Sequence, residues 1–153
     1  MSRSIGLDHG SRRIGVAVGD SETGLAFARD ALRRGRSAEA DVAAVLALAR
    51  REGAGEAIVG LPRNMDGTEG PQAAAARRFG DRLAAAGLAV RYVDERLTTW
   101  QAGEQLAEGG RRPDRRSGEL DSAAARLILQ EYLDAQRSHP RPAMPDSTIQ
   151  ETE

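Results

Sequence analysis

Three acidic positions, far apart in the chain, could meet to do chemistry: Asp8, the adjacent pair Asp94 and Glu95, and Asp121. The chain has no cysteine, and His9 is the only histidine ahead of the C-terminal tail. Carboxylates and water are ligands for hard cations such as Mg²⁺ and Mn²⁺, whereas zinc prefers nitrogen or sulfur. Two such ions about 3.5–4 Å apart activate a water and stabilise a leaving oxygen. The chemistry to expect is hydrolysis of a phosphodiester bond at a two-metal site.

Each acid also has a plainer reading. Asp8 could simply shape a turn, Asp94 and Glu95 could end a strand and cap the next element, and Asp121 could favour a helix dipole. Asp121 is the most informative of them. With Ala125, Ile128 and Tyr132 it recurs at i, i+4, i+7 and i+11, so a carboxylate heads an otherwise apolar stripe. A charge buried there without a partner is costly and needs a cation, donors or a raised pKa.

The elements that must position these acids can be read from periodicity. Residues 4–8 and 13–19 read as two strands joined by the tight turn His9-Gly-Ser-Arg12, and residues 25–32 as a third. Ser37 can cap a helix that Gly53 and Gly55 stop. Next come a short buried strand at 57–60, a polar loop at 63–71, a helix at 72–86 and a strand at 88–93. Thr98 or Thr99 can cap a further helix, residues 109–118 form a basic loop, and residues 119–135 a strong last helix. A meander followed by βαβ units gives one mixed sheet with strands one, four and five parallel. Ligand sites in such sheets gather beyond the carboxyl ends of the parallel strands, where Asp8 and Asp94-Glu95 fall.

The 153 residues suit one domain, expected over 1–137, with a proline-rich disordered tail at 138–153. No long apolar run or signal-peptide core is present, so a cytoplasmic protein without membrane contact is expected. The formal charge of −1 does not mark a nucleic-acid binder, but its distribution is informative. All 22 basic residues are arginine, clustered at Arg12-Arg13, Arg33-Arg34-Arg36, Arg77-Arg78, and Arg111-Arg112 with Arg115-Arg116. Guanidinium forks match phosphate oxygens, so the clusters could grip a phosphodiester backbone. A coding preference for arginine over lysine would leave the same clusters as solvated charge. Aromatic residues are only 3%, which favours backbone contacts over base stacking.

Five ordered motifs carry a family resemblance: Ile5-Gly-Leu-Asp-His-Gly10 with Arg13-Ile-Gly-Val-Ala17; Val59-Gly-Leu-Pro62; Asn64-Met-Asp-Gly-Thr68; Asp94-Glu-Arg-Leu-Thr-Thr99; and Leu120-Asp-Ser-Ala-Ala124 with Ile128-Leu-Gln-Glu-Tyr-Leu133. From about residue 5 to 133 the chain resembles the YqgF/RuvX family. The resemblance implies an α/β, RNase H-like domain with a mixed five-stranded sheet in the order 3-2-1-4-5, flanked by helices. It also implies a nuclease related to the RuvC resolvases, acting in processing of the 5′ end of pre-16S rRNA or on branched DNA. Asp8, Glu95 and Asp121 would then be the catalytic, metal-coordinating acids. Asp94 and Glu95 are hard to separate, because neighbouring strand residues face opposite ways; Glu95 has the longer arm.

Around these acids, Gly10 would let a phosphate approach the backbone and Gly15 would suit tight packing against strand one. Arg63 and Asn64 could position the scissile strand, together with Thr98 and with Arg96, which could instead pair with Asp94. Arg111, Arg112, Arg115 and Arg116 would form a clamp that orders on binding nucleic acid. His9 could touch substrate or merely fill its turn. Symmetric cutting of a four-way junction would require a homodimer, for which no surface is evident. The main alternative is a non-catalytic RNA- or ribosome-associated module of the same fold. An ATP-handling relative of the actin and sugar-kinase group would need two such domains, which this length does not supply.

Overall fold

The computed structural model describes residues 2–95 and 119–138. In chain order the elements are β1 (Arg3–His9), β2 (Arg13–Asp20), β3 (Ala26–Arg33), α1 (Ala38–Glu52), β4 (Glu56–Leu61), α2 (Pro71–Ala85), β5 (Ala89–Asp94) and α3 (Glu119–Ser138). The strands form one sheet in the order β3-β2-β1-β4-β5, as expected. β2 is antiparallel to both β1 and β3, while β1, β4 and β5 run parallel. The expected helix after Thr98 or Thr99, the basic loop at 109–118 and the tail beyond 138 lie outside the described residues.

Strand alternation divides the interior into two layers. Ile5 and Leu7 of β1, Ile14, Val16 and Val18 of β2, and Ala57, Val59 and Leu61 of β4 point to one face. There they meet Val45 and Leu48 of α1 and Phe79 and Leu83 of α2. The residues between them face α3: Ala17 and Ile58 pack with Ala125, Ile128, Leu129 and Leu133. Both layers are built almost wholly from aliphatic side chains, as the low aromatic content requires.

Local signals set the helix ends. Ser37 Oγ accepts from the Ala40 N–H at 3.1 Å, and Gly53 closes α1 in the left-handed region at φ 69°. Pro71 starts α2, where its missing N–H costs nothing. Small residues decide how closely α3 lies on the sheet. A Cβ on Gly15 would overlap the backbone carbonyl of Asp121, and one on Gly6 would lie 2.8 Å from the Ala125 carbonyl. Gly15 is expected from sequence to ease packing against β1; what it admits is the first turn of α3. Where the β2–β3 register shifts between Ile14 and Val16, the Val16 N–H donates to Ser122 Oγ at 3.3 Å, tying that turn to the sheet.

Candidate active site

Asp8 lies on β1 directly opposite Gly15, with the same parity as Gly6, and so faces α3. On β5, Val93 packs on the α3 side, opposite Gly60 of β4. Two residues further on, Glu95 returns to that side, while Asp94 falls on the other parity. The sequence leaves these two acids open, and the structure separates them. Glu95 is only 5% exposed, and it folds over Gly60, where an added Cβ would lie 2.6 Å from its Cγ. Asp121 occupies the first turn of α3, held near β2 by the Gly15 contact.

Asp8, Glu95 and Asp121 line one cleft of about 450 Å³. Its other walls include His9, Gly10, Ser11, Arg34 and Gln72. Burial pushes the Asp8 carboxyl well above the usual carboxylate range; the Glu95 charge, a side-chain hydrogen bond with Glu95 and, last, the Asp121 charge add to the shift. Burial also raises Asp121, against a weaker opposing pull from the Arg13 guanidinium. Like charges brought together in a low-dielectric cleft are unfavourable unless a proton or cation is shared. Among the described residues, no three acidic or imidazole side chains are yet close enough to hold an ion. Asp8 and Glu95 are in contact, and Asp121 stands further off, half-buried at the same cleft. The donors are all carboxylate oxygens, and the absent Gly60 side chain leaves room for Glu95 to turn inward, so the set suits a hard divalent cation.

His9 stacks on Phe79 with ring centroids 4.7 Å apart. Burial, helped by Arg34, lowers its pKa, and the ring forms part of the cleft wall. The Gly10 N–H donates to the Arg13 carbonyl at 2.9 Å, closing the β1–β2 turn at the cleft edge. Arg63 and Asn64 begin the loop after β4 but do not line the cleft. Arg63 makes a long contact of 3.5 Å to Glu69, and its Nε is buried with no hydrogen-bond partner. Asn64 Nδ2 donates to Thr68 Oγ1 at 3.0 Å. Arg96, Thr98, Arg111, Arg112, Arg115 and Arg116 lie outside the described residues.

Sequence reasoning missed two groups here. Arg34 stands out in the sequence only as part of a cluster, and Asp41 only as a first-turn acid. Asp41 is 3% exposed; it accepts from Arg34 Nε at 3.1 Å and from the Gly35 N–H at 2.7 Å. Arg34 Nη1 also donates to the Gly10 carbonyl at 3.1 Å, which aims the guanidinium along the cleft edge. The only advance signal is that an acid seven residues after an arginine spans the β3–α1 corner.

Comparison with known proteins is consistent across three kinds of match. The sequence profile of a family described as "RuvX: Holliday junction resolvase" matches residues 2–135. A Nocardioides protein named "Putative pre-16S rRNA nuclease" is 45% identical over 152 residues, covering 97% of this chain and 96% of its own. A protein of the same name from Moorella thermoacetica is 48% identical over 133 residues, covering 86% and 94%. Among solved structures, Thermus thermophilus RuvC in complex with Holliday junction substrate superposes with TM-score 0.53 at 18% identity, covering 90% of this chain and 96% of that one. The large terminase nuclease of phage G20c gives TM-score 0.50 at 16% identity, covering 86% and 81%. At these identities the two structures establish the fold, which is RNase H-like.

Proposed function

Because the chain belongs to the family described as RuvX, Holliday junction resolvase, we propose that it is a divalent-metal-dependent nuclease. Asp8, Glu95 and Asp121 are its catalytic acids and metal ligands. The observation that carries this is the Asp8–Glu95 contact: a half-buried and a buried carboxylate are held together beside a third in one cleft, beyond the ends of parallel strands. Bound Mg²⁺ or Mn²⁺, two ions in the full site, would supply an activated water and charge stabilisation of the leaving oxygen. Asp8 and Glu95 fix the position of that site on the rigid sheet. Asp121, one wall away, completes the ligand set by turning its side chain inward.

The substrate reading rests on the relatives' names and the family description: the 5′ end of pre-16S rRNA, branched DNA of the Holliday-junction type, or both. Gly10 keeps the backbone low at the cleft edge, and Arg63, in the loop after β4, would approach the strand from outside the cleft. Arg96, Thr98 and the arginines at 111, 112, 115 and 116 would contribute further contacts to the strand, whereas Asn64 is engaged within its own loop. Symmetric cutting of a junction would call for a homodimer. Among the described residues, no helix is long and apolar enough to cross a membrane; we read the protein as cytoplasmic.

Purified full-length protein is the direct test, with Mn²⁺ and either precursor rRNA or a four-way DNA junction. Asp8→Asn, Glu95→Gln and Asp121→Asn should each lower cleavage by about 10³-fold, since a metal's charge stabilisation is worth several kcal/mol. Normal rates in all three variants would overturn the site. A wild-type protein that cuts neither substrate would instead be a binding module of the same fold.

A further inference from the structure

We propose that Arg12, Arg33 and Arg34 form a phosphate subsite that seats the nucleic-acid backbone beside the acidic cleft. They line a second depression of about 410 Å³ together with Ser11 and Gly35. Ser11 and Arg34 belong to both this depression and the cleft, so the two adjoin along that edge. The inference rests on the nuclease reading for its ligand, a phosphodiester strand, but not for its geometry.

The backbone builds the subsite. Arg13 of β2 pairs with Arg33 of β3, and the Arg34 N–H donates to the Arg12 carbonyl at 2.9 Å. Side chains from two strands are thereby held at one corner. Arg34 is fixed there by its bonds to Asp41 and to the Gly10 carbonyl, which occupy two of its five N–H donors. Arg3, Arg29, Arg63, Arg77, Arg82 and Arg91 each lie within 4.0 Å of a carboxylate. Among the described residues, Arg12 and Arg33 share with Arg36, Arg50, Arg51, Arg78 and Arg137 the lack of such a partner, and differ from them in lining one depression with Arg34. A concave cluster of guanidinium groups balanced by one buried aspartate is a site for an anion. The anion that also needs the neighbouring acids is a polyphosphodiester. One of its phosphates faces the cleft while the next is gripped by arginine, which offsets the repulsion from three carboxylates.

The test measures binding apart from cleavage, in full-length protein carrying Asp8→Asn. The probes are a fluorescein-labelled single-stranded RNA and, in parallel, a labelled four-way DNA junction, titrated over a range of salt. Arg12→Ala with Arg33→Ala should weaken binding about tenfold or more at low salt, as expected for losing charged hydrogen bonds. The slope of log affinity against log salt should fall by about 1.4 for the single strand or about 1.8 for the duplex, for two lost phosphate contacts. Arg50→Ala with Arg51→Ala is the control. It removes the same charge from exposed positions in the last turn of α1, at the opposite end of that helix from Asp41. A loss on one polymer alone supports the subsite and names its ligand. If the double variant matches the control on both polymers, or if no salt-dependent binding to either is found, the subsite does not exist. A wild type that never cleaves, combined with the arginine-dependent slope, would end the nuclease reading and leave the subsite standing.

Discussion

Two polar regions share the rim of the sheet beyond β1, β4 and β5, and they treat charge in opposite ways. In the loop after β4, polar groups satisfy one another. The Asn64 N–H donates to the Thr68 carbonyl at 2.8 Å, Asp66 accepts from both the Thr68 N–H and its hydroxyl, and Glu69 bridges Arg63 and Arg77. In the cleft next to it, Asp8 and Glu95 are pressed together under the charge of Asp121. Apart from Arg63 Nε, the loop's polar groups named here are paired with one another, whereas the cleft holds an unfavourable arrangement that a cation would relieve. Density of polar residues therefore does not distinguish a site from a turn; uncompensated charge does.

The sharpest way to break that contrast is to remove the strain. Asp8→Asn removes the carboxyl whose ionisation the cleft opposes while keeping the shape. The metal-free variant should melt higher than wild type, by about 2–4 °C for each kcal/mol of repulsion relieved in a domain of this size. Adding Mn²⁺ reverses the order. At 100 times its Kd the ion would stabilise wild type by about 2.7 kcal/mol and the variant much less. Thermal melts with and without Mn²⁺ check both statements. A variant that melts lower than wild type without metal would mean that the carboxylates support the fold rather than strain it.

A smaller effect comes from moving an acid instead of neutralising it. Gly15→Ala places a methyl group on the Asp121 carbonyl, so the first turn of α3 has to lift. Overpacking of this kind costs about 3 kcal/mol, and displacing a catalytic group by 1 Å costs about 10²-fold in rate. Denaturant unfolding and a cleavage assay on the same preparation would report the two. Wild-type cleavage by a destabilised Gly15→Ala protein would remove Asp121 from the site.

These contacts also mark where the sequence can and cannot be read. The strands themselves and the capping of α1 at Ser37 are legible because apolar alternation and cap chemistry are local, while the sheet order follows from the family resemblance. Asp121 is legible because helical spacing places it on the stripe that Ala125 and Ile128 bury. The choice of Glu95 over Asp94 is not legible by the same means. It depends on which face of β5 meets α3, and that is set by pairing with Gly60 on another strand. Gly15 reads as a packing glycine, but its partner at Asp121 lies on the last helix, beyond any local pattern. Arg34 and Asp41 escape notice because each has an adequate local explanation, as cluster member and first-turn acid, that conceals their pairing.

The smallest effect is expected where the sequence most resembles chemistry and the structure offers least. Asn64 stands in a motif directly after β4, and a role in positioning the scissile strand is a natural reading of it. Its side chain, however, donates inward to Thr68, its backbone N–H bonds the Thr68 carbonyl, and its carbonyl accepts from Gly67. Asn64→Ala removes the side-chain bond from an exposed loop and should cost about 1 kcal/mol or less. Cleavage should persist at nearly the wild-type rate, because the loop keeps its backbone bonds and Asn64 does not line the cleft. If kcat/KM instead falls more than about tenfold with stability unchanged, at least about 1.4 kcal/mol of transition-state stabilisation has been lost. Asn64 would then reach the substrate from this loop, and self-satisfied bonding would no longer be grounds for setting a polar loop aside.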